Sequence, residues 1–127
     1  TEVEKSLMIG KWMDLSEQPA WLDCSGLTNG VCRKVGLTFP HGSQNQFNFT
    51  VATTTPKMGD FAFFGHDGDI TKVYHVGMVW DDLFMIESRG KQKDSNFETG
   101  KVILRPRIRW EKYLPQFLGY RSHPKLI

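Results

Sequence analysis

The order of hydrophobic patterns along the chain constrains its fold more than any other feature. Leu27, Val31 and Val35 recur every fourth residue, which is the spacing of a helix that buries one face. After Gly59 the pattern changes to short apolar runs separated by turn residues, which predict strands over residues 60–64, 73–80, 83–88, 102–104 and 117–120. A helical segment followed by adjacent strands predicts an α+β fold with an antiparallel sheet.

Length and composition predict one domain over residues 1–127. Of the 127 residues, 39% are hydrophobic and 24% are charged, which suits a globular chain with one core. The net charge of +2 is too small to indicate nucleic-acid binding. No run approaches the ~20 apolar residues of a membrane span, and no signal peptide is visible. Because the sequence begins with Thr1 and not with Met, it is compatible with a processed or excerpted domain.

Cys24 stands where the predicted helix begins, between Asp23 and Ser25. The unpaired N–H groups and the positive dipole end of a helix start favour an anion, and this placement lowers the pKa of a thiol. The alternative is a small buried cysteine that only packs. Cys32 would lie about 12 Å further along the helix. That separation is too long for a disulfide, so we expect Cys32 to be a core residue.

A nucleophilic cysteine needs a base, and His75 is the best placed of the four histidines. It lies in the predicted strand 73–80, where a rigid element can aim the ring, and Gly77 leaves room beside it. A third group must orient the imidazole. Glu87 lies twelve residues further on, in the next predicted strand, and is the candidate for this role.

The parity of the connection between these two strands decides whether Glu87 can reach His75. Side chains alternate faces along a strand, so a two-residue loop would place Glu87 on the opposite face. For Glu87 to orient the imidazole, we expect His75 to sit opposite it, which requires a loop of odd length, such as residues 80–82, or a bulge. We therefore predict an odd-length connection or a bulge between residues 79 and 84. The alternative is that Ser88 or a water contacts His75 while Glu87 is solvated.

Several blocks of sequence resemble a known family in their order and spacing. They are Asp23-Cys24-Ser25-Gly26-Leu27, the segment 37–46 with Pro40, Ser43 and Gln46, Gly59-Asp60 with Phe63-Phe64, His75-Val76-Gly77, and the run from Met85 to Gly90. Together they resemble the NlpC/P60 cysteine peptidases, which are bacterial and phage cell-wall hydrolases. The match covers roughly residues 12 to 90.

The resemblance implies a papain-like α+β fold, in which the nucleophile helix packs on a central antiparallel sheet. It implies hydrolysis of peptide bonds in the peptidoglycan stem, most commonly the bond from γ-D-glutamate to the diamino acid, without a metal or cofactor. Cys24 would be the nucleophile, His75 the base and Glu87 the third catalytic residue, where the family more often has His, Asn or Gln. The expected location is the cell wall, the periplasm or a virion tail.

The resemblance also assigns four residues to the substrate. Trp12 stands near the position of a family tyrosine, and its indole would donate to the reacting carbonyl or form a groove wall. Asp23 would face a substrate amine or else cap the helix, and both interpretations apply to Ser25. Arg89 would meet a stem-peptide carboxylate or be an ordinary surface arginine.

Other charged residues are interpreted as solvated surface. One group combines potential metal ligands in a single turn, where Gly and Asp are default residues, so we expect a loop and no metal site: His66, Asp67 and Asp69. A second group alternates as one face of a strand would: Arg105, Arg107 and Arg109. His123 lies near the end of the sequence and is expected to be exposed.

Three other functions stay open. The first is an N-acetylmuramoyl-L-alanine amidase of the related CHAP kind. The second is a wall-binding module that keeps the fold without activity, and the presence of Cys24, His75 and Glu87 argues against it. The third is a structural domain within a larger protein or a phage-tail or secretion assembly.

Overall fold

The computed structural model describes residues 23–88, 102–113 and 115–127. The helices are α1 (Cys24–Lys34), α2 (Ser43–Phe49) and α3 (Ile108–Tyr113). The strands are β1 (Val51–Thr53), β2 (Phe61–Gly65), β3 (Val73–Val79), β4 (Phe84–Ser88), β5 (Val102–Pro106) and β6 (Phe117–Ser122), with single 3-10 turns at His66–Gly68 and Pro124–Leu126. Trp12 and Arg89 lie outside the described residues.

The six strands form one sheet in the order β1-β6-β2-β3-β4-β5, and every neighbouring pair is antiparallel. The predicted α+β class is therefore confirmed, with α1 packed against β3 and β4. β1 was not predicted, because its three residues, two of them exposed and one half-buried, show no usable alternation. β6 lies between β1 and β2, so the last strand joins the first strand to the rest of the sheet.

Alternation along β2 divides its apolar side chains between the two faces of the sheet. Phe61 and Phe63 belong to the larger cluster, whose other buried members are Leu27, Val31, Cys32, Phe39, Phe47, Val73, Val76, Met78 and Ile86. Ala62 and Phe64 form a smaller cluster with Met85 on the opposite face. Because both faces are covered, β2 is a continuous apolar run and not an alternating one.

Cys32 is a core residue, as predicted. It is 1% exposed within the larger cluster, and both described cysteines are free thiols. Burial raises the pKa of the Cys32 thiol to about 12, so this sulfur stays protonated and unreactive at neutral pH.

The prediction that His123 is exposed is wrong. Its ring is 1% exposed and packs against Phe39 and Phe49. The Lys125 backbone N–H donates to Nδ1 over 3.0 Å, and Nε2 donates to the Thr38 carbonyl over 2.8 Å. A neutral imidazole with both nitrogens satisfied can be buried without a charge.

The three alternating arginines do not share one strand face, which corrects a second expectation. β5 ends at Pro106, whose ring nitrogen cannot donate to a neighbouring strand, and α3 begins two residues later. Arg105 lies in β5 and Arg109 lies in α3. Arg107 lies between the two elements and donates from Nη1 to the Asp81 carbonyl over 2.8 Å.

The turn that holds His66, Asp67 and Asp69 has local structural roles. His66 stacks on Tyr74 with ring centroids 4.3 Å apart, and the Asp69 carboxylate accepts from the Thr71 backbone N–H over 2.8 Å. Among the described residues, no group of three or more His, Cys, Asp or Glu side chains is arranged to hold a metal ion.

No helix in the described ranges is both long and apolar enough to cross a membrane.

Candidate active site

Cys24 is the first residue of α1, as predicted. Asp23 is the N-cap of this helix: its Oδ1 accepts from the Gly26 backbone N–H over 2.6 Å and from the Ser25 hydroxyl over 3.4 Å. The helix-capping interpretation of Asp23 is therefore confirmed, and Asp23 and Ser25 both lie beside the sulfur. Cys24 therefore lies at the positive end of the helix dipole.

Gln46 fixes the first turn of α1 from inside the protein. This side chain of α2 is 0% exposed. Its Nε2 donates to the carbonyls of Ser25 and Pro40, each over 2.9 Å, and its Oε1 accepts from the Thr28 hydroxyl over 2.6 Å. The amide thus holds the residue after Cys24 against the segment that precedes α2. In the sequence Gln46 was only a landmark of the family resemblance.

The hairpin between β3 and β4 has the predicted parity. Met78 pairs with Ile86 and Val79 with Met85, which leaves a three-residue loop over residues 81–83. The prediction of an odd-length connection is confirmed, although the loop starts one residue later than 80–82. This register places Glu87 opposite Gly77 and diagonal to His75. The expectation that His75 sits directly opposite Glu87 is therefore wrong, although both side chains share one face of the sheet.

Gly77 makes room for the contact between Glu87 and His75. A Cβ atom at residue 77 would lie 3.0 Å from Met85 Cε and 3.5 Å from Glu87 Cβ. With no side chain there, Glu87 extends over residue 77, and its Oε2 lies 2.7 Å from Nε2 of His75. The predicted proximity of Glu87 and His75 is confirmed.

His75 lies between Glu87 and Cys24. The Cys24 sulfur lies 4.0 Å from the Tyr74 carbonyl, at the start of β3. The Cys24 side chain is near enough to His75 to raise the pKa of the imidazole. Because Glu87 occupies Nε2, the ring nitrogen available to the thiol is Nδ1. These contacts support the predicted reach from Cys24 to His75.

The electrostatics of the site favour a protonated His75. Burial alone lowers the pKa of this imidazole, but hydrogen bonds to Cys24 and Glu87 and the negative charges of both raise the pKa to about 9. At neutral pH the ring therefore carries a proton on each nitrogen. A protonated imidazole at this position, close to Cys24 at the start of α1, can donate a proton to a leaving group.

Arg105 is a member of the site that the sequence interpretation missed. Its Nε lies 2.7 Å from Oε1 of Glu87, whose side chain is 1% exposed. In the sheet Glu87 pairs with Ile103, so Arg105 is the diagonal neighbour on the adjacent strand. One signal could have found it: an acidic residue predicted within an apolar strand requires a cation nearby.

Comparison with known proteins gives the family. The family model described as NlpC/P60 family matches residues 12–104. A γ-D-glutamyl-L-lysine dipeptidyl-peptidase from Bacillus cereus is 38% identical over 68 residues, which are 52% of this chain and 20% of that protein. A probable endopeptidase p60 from Listeria monocytogenes is 31% identical over 103 residues, which are 78% of this chain and 19% of that protein.

Solved structures give the same fold. An NlpC/P60 family protein from Bacillus cereus is 30% identical with a TM-score of 0.64, covering 80% of this chain and 31% of that one. The peptidoglycan hydrolase RipB from Mycobacterium tuberculosis is 25% identical with a TM-score of 0.57, covering 79% of this chain and 43% of that one. The chain spans about a fifth of the length of the two curated relatives.

Proposed function

Because the chain belongs to the NlpC/P60 family, we propose that it is a cysteine peptidase that hydrolyses peptide bonds of the peptidoglycan stem at the cell wall. The observation that supports the proposal best is the arrangement of His75 between Cys24 and Glu87. A thiol at a helix start, a base and a group that orients the base are the parts that thiol-dependent acyl transfer needs.

In the proposed reaction, the Cys24 thiolate attacks the scissile carbonyl carbon, and the oxyanion that forms faces the positive end of α1. His75 then donates its Nδ1 proton to the leaving amine, and a thioester remains on Cys24. Neutral His75 takes a proton from a water as that water attacks the thioester, which releases the acid product and restores the thiolate–imidazolium pair. Glu87 accepts from Nε2 throughout and keeps the ring in one orientation.

We propose the bond between γ-D-glutamate and the diamino acid as the one cleaved. The relative from Bacillus cereus carries the name γ-D-glutamyl-L-lysine dipeptidyl-peptidase. Asp23 supports an assignment to the stem peptide, because its exposed carboxylate lies beside the nucleophile, where it can accept from a substrate amine. Trp12 and Arg89 stay predictions as substrate-binding residues.

Digestion of purified peptidoglycan should give stem peptides cut between γ-D-glutamate and the diamino acid, because the acyl group on Cys24 would be the γ-glutamyl carbonyl. Mass spectrometry of the released muropeptides identifies the bond, with a Cys24→Ala digest as the control. Release of whole stems from the glycan would instead identify an N-acetylmuramoyl-L-alanine amidase. Binding to the wall without any cleavage would identify a wall-binding module.

The rate of hydrolysis should fall as the pH rises through about 9. The pKa of His75 is raised from its ordinary value of 6.5 to about 9, so the imidazolium that protonates the leaving amine persists at neutral pH and is lost above that value. The measurement is kcat/KM for a defined muropeptide between pH 5 and about 10. A decline that already begins near the ordinary histidine pKa would contradict the proposed ion pair.

A further inference from the structure

We propose that Arg105 is a positioning residue for this site, which pairs with the buried Glu87 and fixes its Oε2 toward His75. The inference rests on the proposed function for its kinetic consequence only. Its structural part concerns the contact between Glu87 and His75, which exists without substrate.

The two oxygens of Glu87 each face a different cationic group. Oε2 lies 2.7 Å from Nε2 of His75, and Oε1 lies 2.7 Å from Nε of Arg105. With one oxygen held from β5, the carboxylate cannot rotate away from His75 without leaving Arg105. The rotamer that serves the imidazole is therefore the rotamer that Arg105 selects.

Burial makes the second cation necessary. Glu87 is 1% exposed, while the side chain of Arg105 is 19% exposed and keeps part of its contact with water. Burying a carboxylate costs free energy unless cations pair with it. Arg105 offsets part of that cost from β5, while Glu87 serves as the anionic partner of His75.

Few charged groups compete for this carboxylate among the described residues. β3 contributes His75, β5 contributes Arg105, and Cys24 lies beyond the imidazole at the start of α1. Other side chains on this face include Phe64, whose ring is 5.4 Å from that of His75, and Met85. Arg105 is therefore the charge whose removal changes the environment of Glu87 most directly.

A purely structural role for Arg105 predicts different effects of its replacement. An ion pair that only ties β4 to β5 would affect the free energy of unfolding, and the reaction would keep its pH dependence. A positioning role changes kcat and the alkaline side of the pH profile. The two roles are separated by variants whose folding is checked by circular dichroism and thermal unfolding.

The test compares Arg105→Met with Arg105→Lys and with Arg107→Met. Arg107 is the matched control, because it contacts Asp81, Glu111 and Tyr120 and not Glu87. We expect Arg105→Met to lower kcat about tenfold, equivalent to about 1.4 kcal/mol in the barrier, with KM within about twofold. Arg105→Lys should recover most of that loss, and Arg107→Met should leave kcat within about twofold of wild type.

The pH profile supplies the second measurement. In Arg105→Met the alkaline decline of the kcat profile should move to lower pH, because a Glu87 side chain no longer held toward His75 contributes less to the raised pKa of that imidazole. In a Glu87→Gln background the same Arg105→Met change should cost less than about twofold and should not move the profile, since the two residues act as a unit. Equal effects in both backgrounds would overturn the proposal.

A substrate-free measurement keeps this inference separate from the proposed function. The Nε2 proton of His75, observed by NMR, reports the hydrogen bond to Glu87. It should be retained in Arg107→Met and weakened or lost in Arg105→Met, or in Arg105→Gln if the methionine variant does not fold. An unchanged resonance in folded variants with normal kcat refutes the role of Arg105. A changed resonance in a protein that cleaves no peptidoglycan supports Arg105 and rejects the proposed function.

Discussion

Replacing Cys24 with alanine should abolish hydrolysis of peptidoglycan and leave the fold intact. The substitution removes the sulfur that forms the acyl-enzyme, so kcat should fall by at least about 10³-fold, as for other enzymes that lose their nucleophile. Cys24 is only half-buried, at the surface end of α1, and its loss opens no cavity in the core. Muropeptide release measures the activity, and thermal unfolding measures the stability.

Cys32→Ala is the matched control for this experiment. Cys32 is 1% exposed in the core and its thiol is protonated at neutral pH, so its loss should cost about 1–2 kcal/mol of stability through packing. Assayed well below its unfolding temperature, the variant should keep kcat/KM within about threefold of wild type. An equal loss of activity in both variants would mean that the Cys24 effect is one of stability and not of chemistry.

Glu87→Gln should keep the shape of the site and lower kcat by at least about tenfold. The amide oxygen can still accept from Nε2 of His75, but it carries no charge to stabilise the imidazolium. The negative charge of Glu87 is one of the causes that raise the pKa of His75, so the alkaline decline of the reaction should also move to lower pH. Steady-state kinetics across the pH range measures both effects.

Asp82→Asn makes the same chemical change at an exposed residue of the hairpin loop. It should leave kcat within about twofold of wild type and should not move the alkaline decline. Comparable losses in the two variants would show that the charge of Glu87 has no special relation to His75, and Glu87 would then leave the proposed triad.

Local patterns predicted the parts of this site that depend on short stretches of chain. The helix start at Cys24 follows from the capping residue before it and the four-residue apolar spacing after it. The parity of the β3–β4 hairpin followed from strand alternation, once a contact between His75 and Glu87 was required. Each inference involved only elements that are adjacent in the sequence and also adjacent in the fold.

Local sequence patterns could not predict contacts between segments that are far apart in the chain. His123 is buried because its imidazole bonds Thr38, 85 residues earlier in the chain, and no periodicity near residue 123 encodes that partner. Arg105 has the alternating context of an exposed strand residue. Its contact with Glu87 depends on which strand lies next to β5 in the sheet. The end of β5 at Pro106 could have been predicted from the sequence, since proline cannot donate a sheet hydrogen bond.

The position of β6 in the sheet has a consequence for how the protein is made. Among the described residues, β1 pairs with β6 alone, through residues about 70 positions apart such as Val51 and Ser122, and β2 has β6 along one of its edges. During synthesis the apolar strand β2 therefore keeps one edge unpaired until residues 117–122 have left the ribosome. Closing such a long loop is an entropically costly step in folding. Until β6 has been made, the unpaired edge of β2 is a place at which the nascent chain can aggregate.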